Sequence, residues 1–235
     1  KDYTGLVDYN GKTYYVVDGV VNHSCNGLTY INGEWCYIVN GVLDTGYNNL
    51  ILYNGTWYYV ENGKINWHYT NLVQYYGTWY YVENGKINWN KNTLCQVNGH
   101  GTWYYVENGQ INWHYQGLVY CNKEWYYIKN GVHQTNYSSL VLYNGSWYYV
   151  KNGKIDWCYT NLVQYHGTWY FVENGTIDWT AVTNTGIDFA FIRAGYRGGI
   201  EGKIHEDATF AYNMEQAQDK GLKLGVYWYS SAINT

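Results

Sequence analysis

Aromatic side chains recur at a fixed spacing through most of this 235-residue chain, and they are its clearest candidates for binding chemistry. Tyr, Trp and Phe together make up 21% of the sequence. One position recurs every 22 residues, with a single step of 24, and is occupied by Thr13, Trp35, Trp57, Trp79, Trp103, Trp125, Trp147 and Trp169. An aromatic cage holds a quaternary ammonium group by cation–π attraction, whereas a flat aromatic platform stacks on the apolar face of a sugar. The sequence leaves both ligand classes open.

Carboxylates near the end of the chain are the other residues that could do chemistry, because glycoside hydrolysis needs two carboxyl groups about 5 to 9.5 Å apart. The candidates are Asp178, Asp188, Glu201, Glu206, Asp207, Glu215 and Asp219. Asp207 is better explained as a helix N-cap. Glu215 and Asp219 fit a solvated helix face, and Asp188 fits a strand start. We therefore predict no catalytic residue in this chain.

Composition excludes several other classes of function. The net charge is −4, only 14% of residues are charged, and the lysines are scattered, so nucleic acid is not expected as a partner. No run of 18 apolar residues is present to span a membrane. The five cysteines and seven histidines have no metal-ligand spacing, so we predict no metal and no cofactor. The cysteines are expected as buried free thiols, with one incidental disulfide as the alternative.

The elements that must position the aromatic residues are β-hairpins. Within one unit, an aromatic and β-branched run at 56–60 is followed by Asn62-Gly63 and then by a second run at 64–67. Asn-Gly between two such runs is a strong hairpin signal, because a type I′ turn needs positive φ at both central positions. The glycine recurs at Gly19, Gly41, Gly63, Gly85, Gly109, Gly131, Gly153 and Gly175. We predict eight hairpins, joined by links such as HYTNLVQYY.

The hairpins should stack on one another, because a lone hairpin is marginal in water and must bury its aromatic face against neighbours. The predicted fold is mainly β, a β-hairpin solenoid of about eight 22-residue repeats. Side chains alternate along a strand, so Trp57 and Tyr59 are expected on one face. Leu72 and Val73 of one link are expected in the core.

The repeat resembles the choline-binding and glucan-binding cell-wall repeats of bacterial surface proteins, which are built on a Gly-x-Trp-Tyr-Tyr hairpin. The resemblance covers residues 1 to about 179. In that family, ligands lodge between consecutive units, against an aromatic residue of the hairpin's first strand and the Trp of a Thr-Gly-Trp. Trp57 and its equivalents match the first of these, and Tyr69, Tyr115 and Tyr159 fall near the second. The resemblance implies ligand-binding roles for Trp35, Trp57, Tyr59, Tyr69, Trp79, Tyr81, Trp103, Tyr105, Tyr115, Trp125, Trp147, Tyr149, Tyr159 and Trp169.

A different pattern begins after Trp179. An apolar run at 187–194 predicts a buried strand, Asp207 and Gly221 bracket a predicted helix, and 222–229 predicts a second strand. Strand, helix and strand form a βαβ unit with parallel strands. The string "GTIDW…GIDFAFIRAGYR…GLKLGVYWYSSAIN" resembles the N-terminal part of the family-25 glycoside hydrolases, lysozyme-type muramidases with a β/α-barrel fold. That family's first-strand Asp and its later Asp-x-Glu have no counterparts here. The resemblance implies that Arg193, Tyr227 and Tyr229 line a remnant of its sugar groove.

These features predict two domains, a repeat solenoid at 1–179 and a partial muramidase-like βαβ segment at 180–235. The segment is expected either to pack on the last hairpin or to be poorly ordered. The predicted function is non-catalytic binding of a bacterial cell-wall polymer, either choline-decorated teichoic acid or a glycan, by a secreted or wall-associated protein. One alternative is a fragment of a peptidoglycan-hydrolysing muramidase whose catalytic Asp-x-Glu lies outside this chain. A second alternative is a structural stalk or adhesin.

Overall fold

The computed structural model describes residues 2–99, 101–177, 179, 189–197, 203–207 and 209–230. The chain forms two compact units, one ending at Gln134 and one beginning at Thr135. No helix in the described part of the chain is long and apolar enough to cross a membrane. Both units are built mainly from short antiparallel strands, so the predicted mainly-β repeat fold is confirmed.

Each repeat in the first unit is a meander of two long strands and one short strand. The fourth repeat illustrates the pattern, with Asn71–Tyr75 paired to Thr78–Glu83, which in turn pairs with Lys86–Ile87. The strands of this unit are β1 (Gly5–Tyr9), β2 (Lys12–Val17), β3 (Val20–Val21), β4 (Gly27–Ile31), β5 (Glu34–Val39), β6 (Val42–Leu43), β7 (Asn49–Tyr53), β8 (Thr56–Glu61), β9 (Lys64–Ile65), β10 (Asn71–Tyr75), β11 (Thr78–Glu83), β12 (Lys86–Ile87), β13 (Thr93–Gln96), β14 (Trp103–Glu107), β15 (Gln110–Ile111), β16 (Gly117–Cys121), β17 (Glu124–Lys129) and β18 (Val132–His133).

The eight predicted hairpin turns are confirmed. At the Asn62-Gly63 turn φ is +51° and +76°, as a type I′ turn requires, and the other seven turns are alike. The links differ from the prediction, because each contains a strand that pairs with the next hairpin. In the third repeat Asn54-Gly55, with φ of +48° and +77°, makes this additional turn. The one 24-residue step is accommodated by a 3-10 turn at Val97–Gly99 between β13 and β14.

Consecutive repeats are joined through the short strands. Lys86 of β12 pairs with Tyr58 of β8, and the Tyr59 amide donates to the Gly85 carbonyl oxygen at 2.9 Å. Leu72 and Val73 are buried, as predicted, and Val82 is fully buried in the same cluster as Val73. Within each unit, consecutive repeats therefore bury apolar residues against one another, which is the arrangement of a solenoid.

Gly85→Ala is expected to destabilise the protein much more than Gly77→Ala. Both glycines have positive φ, at +74° and +81°, so each variant carries left-handed strain of about 1–2 kcal/mol. A Cβ at residue 85 would lie 2.6 Å from the Asn66 carbonyl oxygen, whereas a Cβ at residue 77 meets nothing within 4 Å. This overlap adds about 1–3 kcal/mol. Urea unfolding measures both losses, and equal losses would contradict the role given to the Asn66 contact.

The second unit continues the repeats and adds a small α/β segment. Its elements are β19 (Ser139–Tyr143), β20 (Ser146–Lys151), β21 (Lys154–Ile155), β22 (Asn161–Tyr165), β23 (Thr168–Glu173), β24 (Thr176–Ile177), β25 (Phe189–Arg197), β26 (Ile204–Glu206), α1 (Phe210–Asp219) and β27 (Lys223–Ser230). β25 lies parallel to β27, which confirms the predicted βαβ unit. The antiparallel strand β26 beside β25 was not predicted. α1 packs on the sheet through Ile192, Ala217 and Leu222.

The predicted N-cap is wrong by two residues. Thr209, not Asp207, is the residue before α1, and the Asp207 side chain instead accepts hydrogen bonds from the Thr209 amide and hydroxyl at 2.9 and 2.7 Å. Asp207 also pairs with Arg193, so its carboxylate is drawn toward the sheet. The segment packs on the last hairpin, because Asn213 Nδ2 donates to the Tyr170 hydroxyl at 3.4 Å.

Three of the predicted features fall outside the described residues. They are the carboxylates Asp178, Asp188 and Glu201. The domain boundary at 179/180 stays a prediction for the same reason.

Candidate aromatic binding sites

A tryptophan of one repeat meets a tyrosine of the next repeat, and we call each such contact a Trp–Tyr corner. The ring centres of Trp35 and Tyr53 are 5.0 Å apart at an interplanar angle of 60°. Those of Trp57 and Tyr75 are 5.1 Å apart at 64°. All four side chains are partly exposed, so each corner presents two inclined aromatic faces to solvent. The predicted residues Trp35 and Trp57 thus lie at partly exposed aromatic contacts between consecutive repeats.

The corner of the seventh repeat has the same geometry but is closed. Trp147 and Tyr165 are 5.2 Å apart at 64°, yet Trp147 is only 2% exposed. Tyr170 of β23 and Tyr212 of α1 cover its indole, with ring centres 6.4 and 6.5 Å away. The muramidase-like segment therefore fills the site in which the sequence places a ligand.

Two other predicted tryptophans have smaller side chains at the corner position. At the position of the corner tyrosine, the repeat that follows Trp79 has Val97 and the repeat that follows Trp103 has Cys121. Each tryptophan lies in the same hydrophobic cluster as this smaller side chain. Trp125 contacts Tyr120 of its own hairpin at 5.3 Å.

The predicted link tyrosines form internal stacks. The hydroxyls of Tyr69, Tyr115 and Tyr159 donate to the carbonyl oxygen of the leucine three residues later, at 3.3, 2.8 and 3.2 Å. Their rings lie 3.9, 4.2 and 3.7 Å from those of Tyr59, Tyr105 and Tyr149, respectively. These six residues hold the link against the preceding hairpin and do not form the Trp–Tyr corners. Tyr81 is also buried, beneath the Lys91 ammonium group at 5.1 Å.

Tyr69 is expected to make the protein sensitive to alkali. Burial, together with the neighbouring Tyr59 and Glu61, raises the pKa of Tyr69 to about 12. Because this value lies above the unfolded pKa of about 10, the contribution of Tyr69 to stability is complete below pH 10 and is lost as pH rises toward 12. Tyr69→Phe is expected to reduce this alkaline loss and to cost about 0.5–1.5 kcal/mol at pH 7, since the hydrogen bond to Leu72 disappears. Denaturant unfolding from pH 7 to pH 12 measures both effects.

The control for this experiment is Tyr76→Phe, at a side chain that is 90% exposed. It should leave the unfolding free energy unchanged at pH 7. An unchanged alkaline loss in Tyr69→Phe would show that Tyr69 is not the responsible group.

Sequence reasoning missed a second set of aromatic residues, at the tryptophan four positions after the hairpin glycine. Four of these tryptophans meet edge-on the first tyrosine of their own hairpin strand, and we call these contacts Tyr–Trp pairs. They are Tyr58–Trp67, Tyr80–Trp89, Tyr104–Trp113 and Tyr148–Trp157, with ring centres 5.7 to 5.9 Å apart. The tryptophans are 41–48% exposed. The recurrence of Ile-Asn-Trp or Ile-Asp-Trp at one phase of the repeat was the available signal.

The remaining predicted residues lie in the muramidase-like segment and the last hairpin. Trp169 and Arg193 line one cavity of about 210 Å³, together with Phe171, Phe189 and Phe191. Arg193 also forms an ion pair with Asp207, at 2.7 Å between Nη2 and Oδ2. Tyr227 and Tyr229 are exposed on β27 and are not among the residues that line this cavity.

The Arg193–Asp207 pair governs the charge of this cavity. Burial by itself raises the pKa of Asp207, but hydrogen bonds from Thr209 and the Arg193 guanidinium outweigh burial and hold the pKa below its ordinary value. Glu206, Glu215 and Asp219 are exposed. Within the described ranges no three His, Cys, Asp or Glu side chains are grouped to hold a metal ion, and all five cysteines are free.

These observations define a class of protein, a tandem β-hairpin repeat with aromatic contacts between consecutive units. The chain belongs to the choline-binding repeat family. Seven segments match that family's model and together cover more than half of the chain: 2–22, 46–66, 69–88, 90–112, 115–134, 136–156 and 159–178. Residues 170–235 match the model of glycosyl hydrolases family 25, so the two matches share residues 170–178.

One solved structure similar to this chain is choline binding protein F from Streptococcus pneumoniae. The two are 22% identical over 83% of this chain, with a TM-score of 0.28. The match spans 59% of that protein's length. No curated protein sequence matches the chain.

Proposed function

We propose that this chain binds a choline-bearing polymer of a bacterial cell wall through the open Trp–Tyr corners. The observation that carries the proposal is the repeated corner geometry at Trp35–Tyr53 and Trp57–Tyr75. Membership of the choline-binding repeat family supports the choice of ligand. The protein would then act outside the cell, at the wall surface.

The corner geometry favours a compact cation over a sugar ring. A trimethylammonium group is small enough to contact both inclined rings of a corner, whose interplanar angles are 60° and 64°. A pyranose ring stacks best on one flat face. Each cation–π contact contributes about 0.5 to 2 kcal/mol, so a single corner binds weakly. Several corners on one chain give avidity for a polymer that carries many choline groups, on the order of 10²- to 10⁴-fold above a single site.

Sedimentation with choline-containing cell walls tests the proposal. We expect the chain to sediment with the walls and to be released by free choline. Trp57→Ala is expected to weaken binding about tenfold, because a corner loses both its face and its contact with Tyr75. The matched control is Trp79→Ala, whose corner position holds Val97, and it should weaken binding less. Equal binding to walls that lack choline would contradict the proposed ligand and favour a glycan.

The match of residues 170–235 to glycosyl hydrolases family 25 favours a second candidate, in which the repeats direct a peptidoglycan-hydrolysing activity to the wall. In this candidate the catalytic carboxylates come from outside the chain. Clearing of a peptidoglycan suspension by the chain itself would instead place the activity within these 235 residues.

A further inference from the structure

The Tyr–Trp pairs form an aromatic row separate from the Trp–Tyr corners. Trp57 and Tyr58 are adjacent in β8, so their side chains leave opposite faces of the strand. The short strand of the next repeat places one residue directly opposite the tyrosine of each pair, and we call this the facing position. The facing residues are Lys86 for Tyr58, Gln110 for Tyr80, Val132 for Tyr104 and Thr176 for Tyr148.

The first pair already holds a cation from its own chain. Lys86 Nζ lies 5.5 Å from the ring centre of Tyr58 and 5.5 Å from that of Trp67, within the range of a cation–π contact. Lys64 has the same position one repeat earlier but faces Cys36 instead of a tyrosine. Its Nζ turns to Glu34 Oε2, at 2.5 Å. The position equivalent to Glu34 is Thr56 in the next repeat, and there the lysine ammonium lies over the aromatic pair.

The second pair, Tyr80–Trp89, is faced by the neutral Gln110. Beside it lies a groove of about 540 Å³ that is lined by Trp89 and by Trp113 of the next repeat. Glu107 also lines the groove, and its carboxylate accepts hydrogen bonds from two neutral donors, Asn112 Nδ2 at 2.6 Å and the Tyr105 hydroxyl at 3.3 Å. The equivalent Glu83 is neutralised by Lys91 at 2.9 Å. This groove thus combines partly exposed tryptophan rings with the Glu107 carboxylate, whose hydrogen bonds within the described part of the chain come from neutral donors.

We propose that the groove between Trp89 and Trp113 is a binding site for a trimethylammonium group, and that Lys86 is an internal occupant that closes the equivalent site at Trp67. The inference rests on the proposed function for the source of the ligand, which is the choline of the wall polymer. A trimethylammonium group sheds its water more readily than a primary ammonium and so suits an aromatic site. The repeats that contribute Trp89 and Trp113 have Val97 in place of a corner tyrosine, so this groove would give them a binding site of a different kind.

Reciprocal substitutions at the facing positions test the proposal. The full chain is labelled with 5-fluorotryptophan, each signal is assigned by a Trp→Phe variant, and choline is titrated by ¹⁹F NMR. In the unsubstituted protein we expect the Trp89 signal to shift with choline and the Trp67 signal to stay still. Gln110→Lys should weaken the Trp89 response at least tenfold, and Lys86→Gln should make Trp67 responsive. Gln110→Met, similar in length and uncharged, should leave the Trp89 response unchanged.

Three comparisons decide the outcome. Ethanolamine should bind at Trp89 at least tenfold more weakly than choline, and the neutral isostere 3,3-dimethylbutan-1-ol should not bind measurably. Equal binding of the isostere, or equal effects of Gln110→Lys and Gln110→Met, would overturn the proposal. If the Trp57 signal responds to choline while the Trp89 signal does not, the groove at Trp89 is refuted as a choline site, whereas the proposed function of the Trp–Tyr corners is supported. If neither tryptophan responds, both the corners and the groove are refuted as choline sites.

Discussion

Trp147→Ala is expected to destabilise the second unit by about 3–5 kcal/mol, the range measured when a buried tryptophan is truncated to alanine. The indole is 2% exposed and packs against Tyr165, Tyr170 and Tyr212. Its removal leaves a cavity between the last two hairpins and α1, which the aromatic rings around it cannot collapse to fill. Urea unfolding measures the loss, and hydrogen exchange should localise it to β20, β22, β23 and α1.

The control for Trp147→Ala is Trp57→Ala, because Trp57 has the same corner geometry but stays partly exposed. Trp57→Ala should weaken wall binding with a much smaller loss of stability, whereas Trp147→Ala should leave choline binding at the Trp57 corner unchanged. A Trp147→Ala variant with full stability would show that α1 does not close this corner.

Asp207→Asn is expected to destabilise the muramidase-like segment by about 2–3 kcal/mol. The Asp207 and Arg193 side chains are largely buried, at 12% and 23% exposure, so the substitution leaves the guanidinium without its counter-ion. Because the pKa of Asp207 is lower in the folded protein, its contribution is complete above the unfolded pKa of about 3.9 and is lost as pH falls through the folded value. Thermal unfolding at pH 7 and pH 3, followed by hydrogen exchange at α1, measures both effects.

Glu206→Gln supplies the matched control, since it removes the adjacent but exposed carboxylate. It should change the unfolding free energy at pH 7 by less than about 0.5 kcal/mol. A loss in Asp207→Asn that is no larger than in Glu206→Gln would mean that the ion pair does not hold β25 to the segment before α1.

The repeat fold could be predicted from the sequence because its information is local. Asn62-Gly63 and its equivalents adopt the positive φ values that a type I′ turn needs. The aromatic and β-branched runs on either side of each turn favour strands, so the local sequence is sufficient to predict a hairpin. The same local reasoning located Leu72 and Val73 in the core and the βαβ order of the last segment. It placed the N-cap two residues too early, and it could not find the Arg193 partner of Asp207, because that guanidinium comes from a distant strand.

The candidate sites were less predictable because they are formed by side chains from two different repeats, and only the tertiary structure shows which of these side chains are in contact. The spacing of Tyr69 from its glycine suggested a ligand contact, but its hydroxyl is committed to the Leu72 carbonyl oxygen. Trp67 was overlooked, since only the packing of one repeat on the next brings Lys86 over its ring.

By itself, the sequence determined the repeat, its turns, its aromatic inventory and the change of pattern after Trp179, since all of these follow from short-range backbone preferences and alternation. The tertiary structure decided which aromatic faces stay open. Trp57 and Trp147 occupy identical places in the repeat, yet Tyr212 covers only the second. Tyr58 and Tyr80 are likewise equivalent, yet a lysine faces one and a glutamine the other. The exposure of each aromatic ring depends on the residues packed around it. Those residues belong to another repeat or to the α/β segment that follows the repeats, so the sequence of the ring's own repeat does not determine its exposure.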